Sequence, residues 1–233
     1  MPESDFKEGH VEADGFRVRY LEAGQGDSVV ILDSTAWGWS PLNDALAKTY
    51  RVVVFEVPGM GSSSPNTTSG SVNDLAGTMV QAAASVVSGK FTLIGTSFAA
   101  NVALRQTLLA PESVEALVLI SPTAIRPAAS APTQTLDEMK ARLSAHPENI
   151  PSLPFGLIDN LTQEQALAAR LGGTVNDSEV ESRLGDVQCA TLSLFGLADK
   201  TVESQATAIY REKIPNSNVS IVYDAGHLIA LDR

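Results

Sequence analysis

The stretch TLIGTSFAAN, residues 92–101, joins a short apolar run to a series of small residues typical of a helix start. The apolar run stops at Gly95, and Ser97 stands between the two segments. Small residues on both sides of Ser97 allow a strand and a helix to pass close together. The pattern predicts a strained strand–turn–helix elbow that exposes the Ser97 hydroxyl. A serine that only caps the helix has the same local pattern, so these residues alone leave both interpretations open.

Other short apolar runs alternate with helical patterns along the chain. We predict a hairpin around Asp14-Gly15 and then buried strands at 28–33, 51–57, 91–95, 115–121, 190–196 and 219–224. Helices are predicted over 41–48, 72–87, 99–109 and 203–213. Strands that are apolar on both faces and separated by helices indicate a parallel sheet covered on both sides. The predicted class is α/β, with a mostly parallel central sheet and helices on both faces.

The strand–helix alternation is interrupted between about Arg126 and Gly185. This segment has two possible capping boxes, at 135–138 and 162–165, and a Gly172-Gly173 helix stop. We interpret residues 126–185 as a small helical cap, inserted into a core formed by residues 1–125 and 186–233.

Composition limits the possible partners. Among 233 residues, 44% are hydrophobic and 18% charged, which is enough apolar material for a sizeable core. The formal net charge of −11 disfavours a nucleic-acid partner. No apolar run is long enough to span a bilayer, and the polar N-terminus does not resemble a signal peptide. A single cysteine, Cys189, cannot form an internal disulfide, and it is disfavoured as a nucleophile because it stands at the start of a predicted strand, away from the carboxyl end. We expect a soluble cytoplasmic protein without a membrane partner.

A serine nucleophile needs a base, and the chain has only 3 histidines. His10 precedes the hairpin and His146 lies in the cap, whereas His227 follows the last predicted strand. The carboxyl ends of parallel strands meet at one edge of the sheet. We therefore expect His227 to lie beside Ser97 and to act as the base.

The histidine in turn needs a carboxylate to hold its tautomer. Asp199 follows the strand at 190–196 in Gly-Leu-Ala-Asp, which places it at the same edge. Asp224 is a competitor, although its position three residues before His227 puts it at a strand end. Asp199 is the preferred candidate.

The chain resembles the α/β-hydrolase superfamily, in particular its esterase-like serine hydrolases. The resemblance lies in the elbow GTSFA, the loop EVPGMGSSS after the second buried strand, GLAD and AGH. It implies that Ser97, Asp199 and His227 form a catalytic triad that works through an acyl-enzyme.

The same resemblance implies an oxyanion hole. The backbone N–H groups of Phe98 and Thr35 would form it, with Ser34 in reserve. Asp33-Ser34 stands where relatives usually have His-Gly, and an acid near the hole could oppose the negative charge.

Several residues are expected to line the substrate pocket: Ser34, Trp37, Phe155 and Leu228, with Trp39 as an alternative to Trp37. At least one of the two tryptophans is expected only to pack. Leu157 and Ile158 are expected to help close an apolar pocket over the substrate.

Rival functions remain open at this stage. A lyase of the same fold, a carbon–carbon bond hydrolase, and a small-molecule binding protein or sensor with little turnover are all compatible with the pattern. Leu228 occupies the position where similar lyases have lysine and carbon–carbon bond hydrolases often have tryptophan, so an ester or thioester hydrolase is favoured. A dinucleotide loop at Gly59-Met-Gly61 is disfavoured because Ser64 stands where the third glycine belongs.

The predicted partner is a small-molecule substrate. No metal or organic cofactor is implied, because the mechanism needs none. Relatives usually continue into a final helix after the histidine, whereas this chain stops at Arg233. If that helix is missing, apolar surface is exposed, and a homodimer or poor solubility is expected.

Overall fold

The computed structural model describes residues 5–125, 135–149, 157–172, 176–203 and 205–233. Its centre is an eight-stranded sheet with the order β1-β2-β4-β3-β5-β6-β7-β8. The strands are β1 (Lys7–Ala13), β2 (Phe16–Ala23), β3 (Ser28–Asp33), β4 (Arg51–Glu56), β5 (Phe91–Thr96), β6 (Val114–Ile120), β7 (Ala190–Gly196) and β8 (Ser217–Val222).

The predicted mixed α/β class is confirmed. β1 and β2 form the antiparallel hairpin, whose turn residues Asp14 and Gly15 both have positive φ, and β2 pairs antiparallel with β4. From β4 onward along the sheet, every pair of neighbouring strands is parallel: β4 with β3, β3 with β5, β5 with β6, β6 with β7 and β7 with β8. Their carboxyl ends therefore lie along one edge of the sheet.

The helices of the core lie close to the predicted ranges, with differences of one or two residues at their ends. They are α1 (Pro41–Ala47), α2 (Val72–Val86), α3 (Phe98–Leu109) and α7 (Gln205–Lys213). The short helix α8 (Ile229–Asp232) has no counterpart among the predicted ranges. Ser40 and Ser71 cap α1 and α2 by accepting backbone N–H groups with their side chains.

Alternate residues of the central strands point to opposite faces, and both faces are buried. Val53 and Phe55 of β4 belong to the larger apolar cluster, whereas Val52 and Val54 belong to a smaller cluster on the other side. This two-sided burial explains why the strands are continuous apolar runs in the sequence.

Helices also fill the described parts of the segment between β6 and β7: α4 (Leu136–Leu143), α5 (Leu157–Arg170) and α6 (Ser178–Arg183), with short 3₁₀ turns at Pro147–Asn149 and Leu184–Asp186. The first predicted capping box is confirmed, since Thr135 and Glu138 exchange both hydrogen bonds. The second is wrong: α5 begins at Leu157, so Thr162 and Gln165 lie inside the helix. α5 ends just before Gly172, whose φ is +81°.

Among the described residues, no helix is long and apolar enough to cross a membrane.

Candidate active site

The elbow at Ser97 has the predicted strained geometry. Ser97 has φ 56° and ψ −121°, a conformation that non-glycine residues rarely adopt, and it lies between β5 and α3. A side chain at Gly95 would come within 2.5 Å of the Ala99 carbonyl oxygen, so only glycine allows the strand and the helix to approach this closely. Ser97 remains partly exposed. Its side chain makes no helix-capping hydrogen bond, which removes the alternative of a simple cap.

The structure brings the three predicted side chains together. His227 Nε2 lies 2.9 Å from Ser97 Oγ, and His227 Nδ1 lies 2.9 Å from Asp199 Oδ2. The side chains of His227 and Asp199 are 2% and 0% exposed, respectively. These residues follow β5, β7 and β8, and the parallel sheet places the ends of all three strands at one edge.

Several hydrogen bonds hold Asp199 in place. Its Oδ1 accepts the N–H groups of Thr201 at 2.7 Å and Val202 at 3.0 Å, which leaves Oδ2 for the histidine. Burial raises the pKa of the Asp199 carboxyl, but the hydrogen bond and charge of His227 and the two backbone donors outweigh burial, and the net pKa is lowered. Asp199 is thus held as a carboxylate, which can only accept a hydrogen bond.

The competing candidates have other partners. Asp224 pairs with Arg233, and His146 Nε2 lies 3.0 Å from Asp224 Oδ1. The hydrogen bond and charge of Asp224 raise the pKa of His146. His10 lies on β1, at the far edge of the sheet from β7 and β8.

The histidine loop has an anchor that the sequence pattern did not reveal. Asp232 Oδ2 accepts the N–H groups of Gly226 at 2.6 Å and Ala145 at 3.1 Å, and Leu228 N–H donates to the Leu143 carbonyl at 2.8 Å. The loop is thereby bound both to α8 and to the residues that follow α4. An aspartate near a chain end has no sequence signal that marks it as a positioning group.

The predicted oxyanion donors differ in their availability. Phe98 is the first residue of α3, so its N–H has no acceptor within the helix and lies next to Ser97. The Thr35 N–H, in contrast, donates to Asp33 Oδ1 at 2.8 Å. Asp33 also accepts from Thr35 Oγ1 at 2.9 Å and from the Gly38 N–H at 3.0 Å. Asp33 therefore shapes the loop after β3 and occupies the Thr35 donor.

A buried acid on α5 is a feature that the sequence analysis missed. The Ser34 hydroxyl is hydrogen-bonded to Glu164 Oε2, and both residues are buried. Burial raises the pKa of Glu164 to about 7, the negative charge of Asp33 acts in the same direction, and the Ser34 hydrogen bond opposes them. Burial also raises the pKa of Asp33, although part of this residue is still exposed.

Comparisons with known proteins agree with this architecture. The sequence profile of the alpha/beta hydrolase family matches residues 24–233. The chain belongs to the alpha/beta hydrolase family. It is 24% identical to the 2-hydroxy-6-oxononadienedioate/2-hydroxy-6-oxononatrienedioate hydrolase of Cupriavidus pinatubonensis, over 95% of this chain and 86% of that protein.

Solved structures of alpha/beta hydrolases superpose well. A 2-hydroxy-6-oxo-6-phenylhexa-2,4-dienoate hydrolase from a Rhodococcus strain has a TM-score of 0.83 at 18% identity, covering 99% of this chain and 95% of that one. The naproxen esterase of Bacillus subtilis has a TM-score of 0.79 at 16% identity, covering 99% of this chain and 88% of that one. The protein is accordingly a hydrolase of this family.

This alpha/beta hydrolase has a cavity beside the elbow. Its volume is about 480 Å³, and its lining includes Ser97, His227, Trp37 and Leu228 together with Ser34, Thr35, Phe98 and Glu164. Of the predicted pocket residues, Ser34, Trp37 and Leu228 thus lie at the cavity. Phe155 and the side chains of Leu157 and Ile158 lie outside the part of the chain that the structure describes.

Trp39 is the tryptophan that packs. Its indole Nε1 donates to Asp44 Oδ1 at 2.7 Å, and its ring stacks on Phe6 with a centroid distance of 5.5 Å.

The described ranges contain no group of three or more His, Cys, Asp or Glu residues that could hold a metal ion. The glycine loop after β4 is also a poor phosphate site. A side chain at Gly61 would meet the carboxylate of Glu56, which accepts the Ser62 N–H at 2.8 Å. An anionic group in that place would repel phosphate.

Proposed function

We propose that this protein is a serine hydrolase of small, mostly uncharged carboxylic esters or thioesters, with Ser97, His227 and Asp199 as its catalytic triad. The observation that supports this most strongly is the continuous hydrogen-bond chain of the three side chains. Each of its two links is 2.9 Å long, and the chain reaches a cavity beside a strained elbow.

Acylation begins at the Ser97 hydroxyl. Because the Asp199 carboxylate can only accept a hydrogen bond, the proton of neutral His227 lies on Nδ1, and Nε2 is free to accept the Ser97 proton. Ser97 Oγ bonds to the carbonyl carbon while His227 Nε2 takes its proton, and the carbonyl electrons move onto oxygen. Asp199 stabilises the resulting imidazolium without itself becoming protonated.

The tetrahedral intermediate then collapses. His227 gives its proton to the leaving alcohol or thiol, and an acyl group remains on Ser97. A water molecule repeats the sequence with His227 again as base, releasing the carboxylic acid and restoring the serine. The Phe98 N–H is one donor to the oxyanion in both steps.

The charge of the cavity wall favours an uncharged substrate. Asp33 and Glu164 both line the cavity, so a substrate carboxylate there would be repelled by each acid that is ionised and would also favour its protonation. A volume of about 480 Å³ suits a small ligand.

A carbon–carbon bond hydrolase is a second candidate. It is supported by the names of the Cupriavidus pinatubonensis and Rhodococcus proteins, which describe hydrolases of oxo-dienoic acids. Such substrates are anionic, and Arg142 at the cavity is a cation that could pair with a carboxylate. Asp33 and Glu164 in the same wall favour the ester. Leu228 does so as well, because carbon–carbon bond hydrolases often have tryptophan at that position.

The test is labelling with a fluorophosphonate, followed by a p-nitrophenyl acetate burst assay. We expect one label per chain, on Ser97, and a burst followed by steady turnover. Ser97→Ala should abolish both, whereas Ser85→Ala, which changes an exposed serine of α2, should leave both intact. Unchanged hydrolysis by Ser97→Ala would overturn the proposal, and a label without turnover would indicate a lyase or a sensor.

A direct comparison of substrates separates the two hydrolase candidates. The same preparation is assayed with p-nitrophenyl esters and with a 2-hydroxy-6-oxo-dienoate. We expect a higher kcat/KM for the esters, and the reverse order would replace the ester by the carbon–carbon substrate.

A further inference from the structure

The loop after β3 places one polar side chain, Ser34, at the cavity that the nucleophile also lines. In the parallel pairing of β3 with β5, Leu32 is the partner of Gly95. Ser34 and Ser97 each follow directly after the last residue of these strands, and both line the same cavity. Ser34 is only 2% exposed, and its hydroxyl is hydrogen-bonded to Glu164, which lines the cavity too.

The oxyanion donor expected in this loop, the Thr35 N–H, already has a hydrogen-bond acceptor. The Thr35 N–H donates to Asp33 Oδ1, and an oxyanion could receive it only if that bond broke. The Ser34 hydroxyl can instead rotate about a single bond and both donate and accept. Its bound partner is the Glu164 carboxyl of α5, which is 7% exposed.

We propose that Ser34 is a second oxyanion donor and that Glu164 is the positioning residue that aims its hydroxyl hydrogen at the substrate carbonyl. This inference rests on the proposed function, since it needs an oxyanion formed by attack of Ser97.

The state of Glu164 decides which way the Ser34 hydrogen points. A protonated Glu164 donates its O–H to Ser34 Oγ, which leaves the Ser34 hydrogen free to donate to the developing oxyanion. An ionised Glu164 can only accept, so it draws the Ser34 hydrogen toward itself and also places a negative charge near the oxyanion. No proton is transferred in this step. As Ser97 Oγ bonds to the carbonyl carbon, the hydrogen bond from Glu164 to Ser34 and the one from Ser34 to the oxyanion both shorten around the new charge.

The charged groups around Glu164 do not reverse the rise of its pKa. Asp33 at the end of β3, His227 from the loop after β8 and Arg142 from α4 share the cavity with Glu164. Asp33 favours the protonated acid, as does burial, and the pKa of Glu164 is about 7. On α5 itself, Arg170 is turned away and donates to the carbonyl groups of Asn66 and Ser69.

The pH profile of kcat is the decisive measurement. We expect kcat of the wild type for p-nitrophenyl acetate to fall above about pH 7 as Glu164 ionises. Glu164→Gln keeps a neutral N–H donor toward Ser34, so it should lose this alkaline limb and exceed the wild-type kcat about tenfold at pH 8.5. Asp159→Asn removes one exposed negative charge from the same helix and should retain the wild-type profile.

Ser34→Ala tests the donor itself. Loss of one oxyanion donor lowers kcat about 10²-fold, and KM should change little. Ser34→Ala combined with Glu164→Gln should be no slower than Ser34→Ala alone, because the glutamate acts through the serine. Thermal unfolding of each variant shows whether it is folded at the assay pH, and Glu164→Gln remains informative if Ser34→Ala unfolds.

Two results would overturn the inference while the hydrolase stands. One is an alkaline limb that persists in Glu164→Gln, and the other is an unchanged kcat in folded Ser34→Ala. In both cases Ser97 would still be labelled by the fluorophosphonate. If Ser97→Ala retains hydrolysis, the proposed function fails and this inference fails with it.

Discussion

Two hydrogen bonds in this molecule each join residues 130 positions apart: His227 with Ser97, and Ser34 with Glu164. The first was predicted from the sequence and the second was not, although both line the same cavity. Distance along the chain therefore does not explain the difference. The partners of the first bond follow parallel strands, whose carboxyl ends meet by topology, whereas Glu164 lies on α5, a helix of the segment between β6 and β7.

The largest effect on kcat is expected for the hydrogen bond between His227 and Ser97. His227→Ala removes the base, and kcat should fall about 10⁵-fold or more because Ser97 is then a poor nucleophile. The double variant with Ser97→Ala should lose little beyond either single variant, since the two residues act as a unit. Steady-state hydrolysis of p-nitrophenyl acetate measures both. His146→Asn is the matched control, and a comparable loss there would break the assignment of the base.

The success of the strand-end prediction has a physical cause. Buried parallel strands must be apolar on both faces, so their limits are visible as runs such as SVVILD and FTLIG. The residues after those runs reach one edge of the sheet whatever the loops do. Asp224 illustrates the remaining ambiguity, because it too follows a strand, and only the coordinates place it beside Arg233 and His146 rather than His227.

The hydrogen bond between Ser34 and Glu164, in contrast, depends on contacts that have no local sequence pattern. Glu164 lies among polar residues in LTQEQALAAR, where a surface acid and a cavity acid look the same. The sequence did mark Asp33 as unusual, but not that its carboxylate would bind the Thr35 N–H. The false capping box at 162–165 arose similarly, since a motif of four residues does not reveal that the helix begins earlier, at Leu157.

A smaller loss is expected for the third strand-end residue. Asp199→Asn should lower kcat about 10⁴-fold with little change in folding, because an amide no longer enforces the productive histidine tautomer. Asp224→Asn provides the control, as Asp224 also follows a strand but contacts other groups. If kcat fell equally in both variants, topology alone would not have identified the acid.

The contact of Glu164 on α5 can be tested through stability as well as through rate. The pKa of Glu164 rises from 4.5 to about 7 on folding, so the folded state binds this proton more tightly than the unfolded chain. Its stabilising contribution is complete below about pH 4.5 and is lost as the pH rises through 7. Relative to wild type, Glu164→Gln should therefore gain about 3 kcal/mol of unfolding free energy between pH 5 and pH 8.5.

Urea unfolding at several pH values gives this difference directly. Asp159→Asn should follow the wild-type slope, since it removes an exposed charge from the same helix. Parallel curves for wild type and Glu164→Gln would mean that Glu164 is solvated in solution, and the contact between α5 and the loop after β3 would then be absent.

Trp37 and Trp39, both in the loop after β3, allow the same comparison between two neighbouring side chains. Trp39→Phe removes the donor to Asp44 and should lower the unfolding free energy by about 1 kcal/mol. Trp37→Phe should change stability by less than about 0.5 kcal/mol but alter KM, because Trp37 lines the cavity. Urea midpoints and KM for a series of p-nitrophenyl esters separate these effects. The reverse pattern would assign packing to Trp37 and substrate contact to Trp39, two residues that the sequence could not distinguish.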